Sequence, residues 1–478
     1  MIADEYGWIG FTADLYGADR HDVQDPTYGI QMEQATLYRS NPMVFNARIQ
    51  AAIDTVAHHP NVDPTNIALI GYCLGGTGVL SYSFANIDTT ETGASSSDPT
   101  TKNSIVGGVS FHGGLLEFEV DETRRMMNPV LVLSGGSDDT GTAVEALERQ
   151  LVQAQPPAWQ ITRYADIVHG FTVFDLAAYD AWVDHRAWDE MGTFLQEVFG
   201  EIQYGSSPPQ PNRDYYYSDA TDSIPIGSGS NDTENEDANK VAVETIMYDD
   251  HGFALMGYLA IPPAVVVLTG EEESRPTTTT TKKYPAVVIV PDWDGVNEYE
   301  LERAVMTAQH RQVDKDGNTT GQYIAMAADI YGVNYTTVND FQKRIELSTL
   351  YRSNPTLFVS RIQAAINELL NHPNVDPEHI FVAGYCFGGT GSVDYGFAPT
   401  NTTYTNVQAV VPIHGGLSPL RTIETEDGVV SPYILVLSGG VDDAHGNTTE
   451  LEQHLDSTDA KWEITRYSSK FAYITIKE

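Results

Sequence analysis

Two cysteines occur in 478 residues, and both sit in one glycine-rich context: "GYCLGGTG" at 71–78 and "GYCFGGTG" at 384–391. A strand entering G-x-C-x-G and a helix leaving it form a nucleophile elbow. Gly71 and Gly75 flank Cys73 because a Cβ would crowd the tight strand-to-helix turn. The turn pushes the sulfur out past the carboxyl end of the strand, at a helix N-terminus whose positive end favours thiolate. The backbone N–H of Leu74 then points to where an oxyanion would form, and Phe387 holds the same place after Cys386. No G-x-S-x-G competes for the role.

Glycine-flanked cysteines also occur at plain strand–helix turns, so the elbow needs partners to count as chemistry. A thiol nucleophile requires a base, and the base an orienting acid. "GGSDD" follows an apolar run and sets Asp138 just past a strand end; 31 residues later "VHGF" brings His169 to a similar place. Nucleophile, acid, histidine is the chain order of an α/β-hydrolase. The second elbow keeps Cys386 and Asp442, but aligning "WQITRY" with "WEITRY" sets Ala472 where His169 stands. His445, in "DDAHG", follows the acid too closely to replace it. Copy two is therefore expected to be inactive. His112 and His414, in "FHGG" and "IHGG", are expected as hydrogen-bonded wall histidines; Asp14 and Asp329 as strand-end residues; Asp139 and Asp443 as exposed neighbours of the acids.

The elements that must hold these groups recur as an internal repeat. Residues 37–78 align without a gap on 350–391, with 27 of 42 positions identical, and the match extends to both sides. A copy of about 200 residues is a whole domain rather than a solenoid unit. "NIALIGYC", "SIVGGVSFH" and "PVLVLSGG" read as buried strands, while 44–59 and 142–155 carry apolar residues at helical spacing. Strands buried on both faces and separated by helices give a parallel sheet. Copy two opens with strand-like 241–248 and 253–262, a buried strand in "YPAVVIVPDWDGVN" and a helix from Glu298, which copy one lacks. Copy one runs on into an amphipathic helix, 179–199, which copy two lacks. The Pro-, Ser- and Asp-rich stretch 204–240 reads as a linker, and "GEEESRPTTTTTKK" from Gly270 as a surface insertion.

On these motifs the chain resembles dienelactone hydrolase (carboxymethylenebutenolidase), over nearly all its length except the linker and insertion. The residues that carry the likeness are the G-Y-C-x-G-G elbow, the acid after a "GG" strand end and the histidine before Gly-Phe. The resemblance implies Cys73 as nucleophile, His169 as base and Asp138 as orienting acid. It further implies that "PDWDGVN" supplies a second oxyanion-hole N–H at Trp293, with Asp292 controlling thiol ionisation. It implies no cofactor and no metal. Where such enzymes hold a substrate carboxylate with arginines, this chain has Val173, Met32 and Ile345. Arg39 and Arg352 lie further along the helix and are expected at the surface or as helix caps. The expected fold is α/β: tandem α/β-hydrolase folds, each a mainly parallel sheet flanked by helices. Copy one, 1–203, would lack its first strands and expose a sheet edge there; copy two, 241–478, would lack its last elements.

Composition narrows the partners. A net charge of −40 repels nucleic acid phosphates and anionic membranes. No run of 18 apolar residues spans a membrane. "MIADEYGWIG" shows no signal peptide, and the five N-x-S/T sequons read as chance in a Thr-rich chain, so a cytoplasmic location is favoured over secretion. The partner is then a small-molecule ester or lactone; oligomeric state is not legible. Two functions stand: hydrolysis of an ester or lactone through a cysteinyl acyl-enzyme, or a catalytically decayed tandem binding or scaffold protein.

Overall fold

The computed structural model describes residues 2–17, 29–87, 105–202, 241–262, 282–310, 321–398, 407–417, 432–440, 447–457 and 460–468, with backbone alone at 216–218, 312–313 and 319–320. The insertion from Gly270 lies outside the described residues up to 281, as does the linker apart from Tyr216–Ser218 and the start at Met1. In chain order the first elements are α1 (Ile2–Tyr6), α2 (Gly29–Arg39), α3 (Pro42–Ala57), β1 (Ala68–Tyr72), α4 (Leu74–Ala85), β2 (Gly107–Phe111), β3 (Val130–Gly135), α5 (Gly141–Ala154), β4 (Trp159–Tyr164) and α6 (Ala181–Val198). There follow β5 (Tyr216–Ser218), β6 (Val241–Asp250), β7 (Phe253–Ile261), β8 (Tyr284–Val290), α7 (Glu298–Gln309), β9 (Gln312–Val313), β10 (Thr319–Thr320) and β11 (Ile324–Ala327). The rest are α8 (Phe341–Arg352), α9 (Pro355–Asn371), β12 (Val375–Tyr385), α10 (Phe387–Gly396), β13 (Val407–Ile413), β14 (Tyr433–Gly439), α11 (Asn447–Asp456) and β15 (Trp462–Tyr467).

The chain forms two compact units, Met1–Tyr204 with Ser438–Asp456 and Glu463–Glu478, and Gly205–Leu437 with Ser457–Trp462. Helix α11 and nearly all of β15, which the repeat assigns to copy two, thus group with the first unit. In that unit β1, β2, β3 and β4 run parallel in this order. The pleat explains the near-continuous apolar runs. Val130 and Val132 of β3 face α5, packing with Val144, Leu147 and Leu151. Leu131 and Leu133, one residue out of phase, face α6 and pack with Val183, Ala187, Met191 and Leu195. Alternate residues of one strand therefore serve two helical layers, and each fully buried aliphatic side chain contributes roughly 1.5–3 kcal/mol.

Among the described residues of this unit, β1 pairs with β2 and with no strand on its other edge. Ile9–Thr12 matches β11 of copy two, yet it forms no strand, and Ile9 and Phe11 are each 51% exposed. The reason is pairing: β11 is held between β8 and β7, and copy one carries no counterpart of either.

On the other side of the sheet, β15 pairs antiparallel with β4, Thr162 opposite Thr465. Two buried ion pairs tie this edge: Arg163 to Glu452 at 2.8 Å and Arg466 to Glu148 at 2.6 Å. The two arginines are equivalent in the repeat, as are the two glutamates. Burial pushes the Glu452 carboxyl up despite Arg163 beside it, so the pair contributes little beyond an apolar replacement of similar shape. Breaking it is another matter, because a charge is then stranded in the core. Glu452→Ala is expected to cost about 3–5 kcal/mol, and the double change Arg163→Met, Glu452→Leu far less. Denaturant midpoints of the two variants check this.

In the second unit the strand order is β14, β13, β12, β8, β11, β7, β6, β5, with β14 through β11 parallel and β7 antiparallel to both neighbours. Helix α7 starts from a capping box, Asn297 with Glu300, and buries Ala304, Val305 and Ala308 over β8 and β11. Helix α9 opens with Pro355 at its first turn and Asn354 accepting from the Leu357 N–H. Tyr216–Ser218 forms a three-residue strand parallel to β6, inside the stretch read as a linker. The mainly parallel strands flanked by helices are the α/β-hydrolase architecture expected from the sequence. No described helix is long and apolar enough to cross a membrane.

Candidate active site

Both cysteines stand at the sharp turn between a strand and a helix. Cys73 links β1 to α4 with φ 53° and ψ −117°, and Cys386 links β12 to α10 with φ 51° and ψ −110°. A side-chain-bearing residue at positive φ is strained, and such strain collects at functional turns. Gly71 makes the turn possible: a Cβ there would stand 2.1 Å from the Gly75 carbonyl oxygen. Gly71→Ala is expected to collapse the soluble folded fraction, which a thermal melt of the purified variant would read. Gly75 departs both from the expectation that a Cβ would crowd the turn there and from its counterpart Gly388. A Cβ on Gly75 meets nothing within 4 Å, whereas one on Gly388 would meet the Val290 and Pro291 oxygens at 2.3 and 2.5 Å. The glycine is sterically required only where the end of β8 lies beside the elbow.

The structure brings Cys73, His169 and Asp138 together from three loops at the carboxyl ends of β1, β3 and β4. His169 Nε2 lies 3.1 Å from Cys73 Sγ, and Nδ1 lies 3.0 and 3.1 Å from the two Asp138 oxygens. Asp138 raises the His169 pKa to about 10, with the sulfur adding to the effect. The Cys73 thiol is pulled down, first by its hydrogen bond with His169, then by the Leu74 N–H and the Arg39 charge, against the cost of burial. Both shifts favour a thiolate–imidazolium pair. Leu74 is buried at the head of α4, where its N–H reaches the sulfur.

Two of the expected placements are corrected. Arg39 and Arg352 do sit in the last turns of α2 and α8, but they are not simple caps. Arg39 lies against Gly114, where a Cβ would be 3.5 Å from its Nη2, and its charge acts on Cys73. Arg352 lies 5.5 Å over the Phe387 ring beside the second elbow. Asp139 is not an exposed neighbour: Ser134 donates to it at 2.8 Å, and partial burial pushes its carboxyl up. Asp443 lies outside the described residues. Asp14 accepts from the Tyr16 and Gly17 N–H groups, and buried Asp329 from Tyr331, Gly332 and Met256. Asp329 holds the turn after β11, as expected, whereas Asp14 holds the equivalent turn with no strand before it, because Ile9–Thr12 lacks strand partners. Val173, Met32 and Ile345 are all exposed.

At the second elbow Phe387 is fully buried, stacked 4.5 Å from Phe358. Asp442, His445 and Ala472 lie outside the described residues. Trp293 and Asp292 lie in the turn after β8: the Trp293 carbonyl accepts from Tyr331 Oη at 3.1 Å, and Asp292 accepts from the Asp294 N–H at 2.9 Å. Among the described residues, Asp292, Asp294 and Glu300 hold carboxylate oxygens within 4.8 Å of one another. Burial and mutual repulsion push Asp294 to about 7 and Glu300 to about 8. Glu300 is already engaged, accepting from the Asn297 N–H in the cap of α7, so the cluster is accounted for by hydrogen bonding and shared protons.

Fold and elbow together define the α/β-hydrolase class, here with a cysteine at the strand-to-helix elbow. The chain belongs to the dienelactone hydrolase family, whose model matches residues 2–199 and 274–474. An uncharacterized protein of Caenorhabditis elegans is 33% identical over 66 residues, 14% of this chain, and the match spans 39% of that relative's length. Among solved structures, a dienelactone hydrolase-like promiscuous phosphotriesterase from metagenomic libraries is similar at 21% identity and TM-score 0.36, covering 48% of this chain and 82% of its own. A putative dienelactone hydrolase from Klebsiella pneumoniae subsp. pneumoniae is similar at 17% identity and TM-score 0.34, covering 48% and 87%.

Proposed function

We propose that the chain hydrolyses a carboxylic ester or lactone at Cys73, with His169 as base and Asp138 as its orienting acid. The observation that carries this reading is the position of His169, within hydrogen-bond reach of the sulfur on one side and of both Asp138 oxygens on the other. The Cys73 thiolate attacks the carbonyl carbon, and the Leu74 N–H turns from the sulfur to the oxyanion. The imidazolium of His169 gives its proton to the departing alkoxide, leaving a thioester. Water then donates a proton to neutral His169 as it attacks the thioester, and the carboxylic acid leaves as the thiolate reforms, the acid losing its own proton to bulk water. Asp138 supports the imidazolium throughout.

The substrate class is proposed from the side chains at the aligned positions of the family's carboxylate-holding arginines. Exposed Val173 and Met32 stand where a carboxylate-holding arginine would be expected, which suits a neutral ester or lactone. Copy two is proposed to contribute no turnover, because the repeat aligns Ala472 with His169. The test is to quench the chain during turnover of an activated acetate ester and digest it. An acetyl group on the peptide bearing Cys73 is the expected result; acetyl only on the Cys386 peptide, or on neither, would overturn the reading.

A further inference from the structure

We infer that His112 is a positioning residue for the Cys73–His169 pair: a neutral imidazole clamped between the backbone of the nucleophile and the loop that carries the base. The inference rests on the reading of Cys73 and His169 given above and adds a residue to it. His112 follows β2, is 1% exposed, and holds φ 37°, a conformation that costs a side-chain-bearing residue. Its backbone is fixed by its own N–H, which donates to the Leu133 carbonyl at 2.8 Å. The ring is fixed at both nitrogens. Nδ1 accepts from the Cys73 N–H at 3.2 Å, a hydrogen that Phe111 O shares at 3.1 Å. Nε2 lies 2.8 Å from Thr172 Oγ1, three residues beyond His169.

An acceptor at Nδ1 requires the hydrogen to be on Nε2, so one tautomer satisfies both contacts, with Nε2–H donating to Thr172. The ring also stands edge-on to its neighbours, 5.0 Å from the His169 ring and 5.1 Å from Phe171. Protonation would remove the acceptor and set a second cation beside the His169 imidazolium. Burial and the His169 charge hold the His112 pKa down to about 4, with Asp138 opposing them. The bridge thus stays neutral above about pH 4. It spans the β2, β1 and β4 ends and ties the Cys73 turn to the His169 loop independently of the Cys73–His169 hydrogen bond itself. A 1 Å drift in such a separation can cost about 10²-fold in rate.

The test uses the full chain carrying Cys386→Ala, which leaves Cys73 as its one thiol. The rate of iodoacetamide alkylation against pH reads the thiolate fraction of Cys73, and ester turnover gives kcat and KM. His112→Ala and Thr172→Val are compared with this parent. For His112→Ala the expected result is a thiolate limb moved to higher pH and a kcat lower by about 10- to 100-fold with KM little changed. Thr172→Val, which keeps the ring and removes one anchor, is expected to move both in the same direction by less. His112→Asn, which tolerates positive φ and restores an acceptor toward the Cys73 N–H, is expected to recover part of the loss. If His112→Ala does not fold, Thr172→Val decides. Folded variants with the parent's alkylation profile and kcat would overturn the inference. A parent whose Cys73 shows only an ordinary thiol profile would overturn the proposed Cys73–His169 reading instead, and the clamp with it.

Discussion

Cys73→Ala is expected to reduce hydrolysis of an activated ester to the buffer rate, and Cys386→Ala to leave most of it. A nucleophile acting as a unit with its base can account for about 10⁶ in kcat, and removing it leaves only binding and oxyanion contacts. Cys73 Sγ has His169 Nε2 3.1 Å away. Cys386 occupies the same strained elbow, at φ 51°, but strain aims a sulfur without ionising it. Thiolate needs a cation or donors nearby, and the repeat sets alanine at the position of the base. Initial rates for the parent and both alanine variants separate the cases. Equal loss in both variants would mean that the two sulfurs serve one site. No turnover by the parent would favour the decayed binding-module alternative.

Asp138→Asn is the second large effect. The carboxylate is the leading cause of the raised His169 pKa, about 10, and it sets which nitrogen faces the sulfur. In the proposed scheme the working form is thiolate with imidazolium. Activity should therefore rise as the Cys73 thiol loses its proton, below its ordinary range, and fall as the imidazolium loses its own near pH 10. An amide in place of the carboxylate no longer favours the cation. The alkaline limb then moves down toward the ordinary imidazole value of about 6.5, and kcat falls by about 10²–10⁴. A pH profile of kcat/KM for parent and variant shows this directly. An alkaline limb that stays near 10 in Asp138→Asn would mean that Asp138 does not control the base.

Several elements of this protein are written locally. The repeat is visible as identity at fixed offset, and the elbow as glycine spacing around cysteine. Strands β2 and β3 show as apolar runs, and α5 as Val144, Leu147 and Leu151 at helical intervals. The order Cys73, Asp138, His169 is legible because each residue follows a recognisable strand, and parallel strands deliver their carboxyl ends to one edge. Such features depend on neighbours within a turn of helix or a few residues of strand, so a linear string carries them.

Other features depend on which strand lies beside which, and that is settled by packing across long stretches of chain. His112 reads as a wall histidine until β2 is seen between β1 and β3, where its two nitrogens meet Cys73 and Thr172. Arg39 reads as a helix end until α2 turns it onto Gly114. Gly75 and Gly388 are identical in sequence context, yet only Gly388 is crowded, because β8 ends beside one elbow and has no counterpart beside the other. The ion pairs of Arg163 and Arg466 join residues 289 and 318 positions apart. The string by itself determined the repeat, the elbow and the order of the three reactive groups, because short-range geometry and periodicity encode them. Tertiary structure alone decided how His169 meets the Cys73 sulfur and what clamps that pair, because those contacts exist only once distant strands lie side by side and water is excluded from between them.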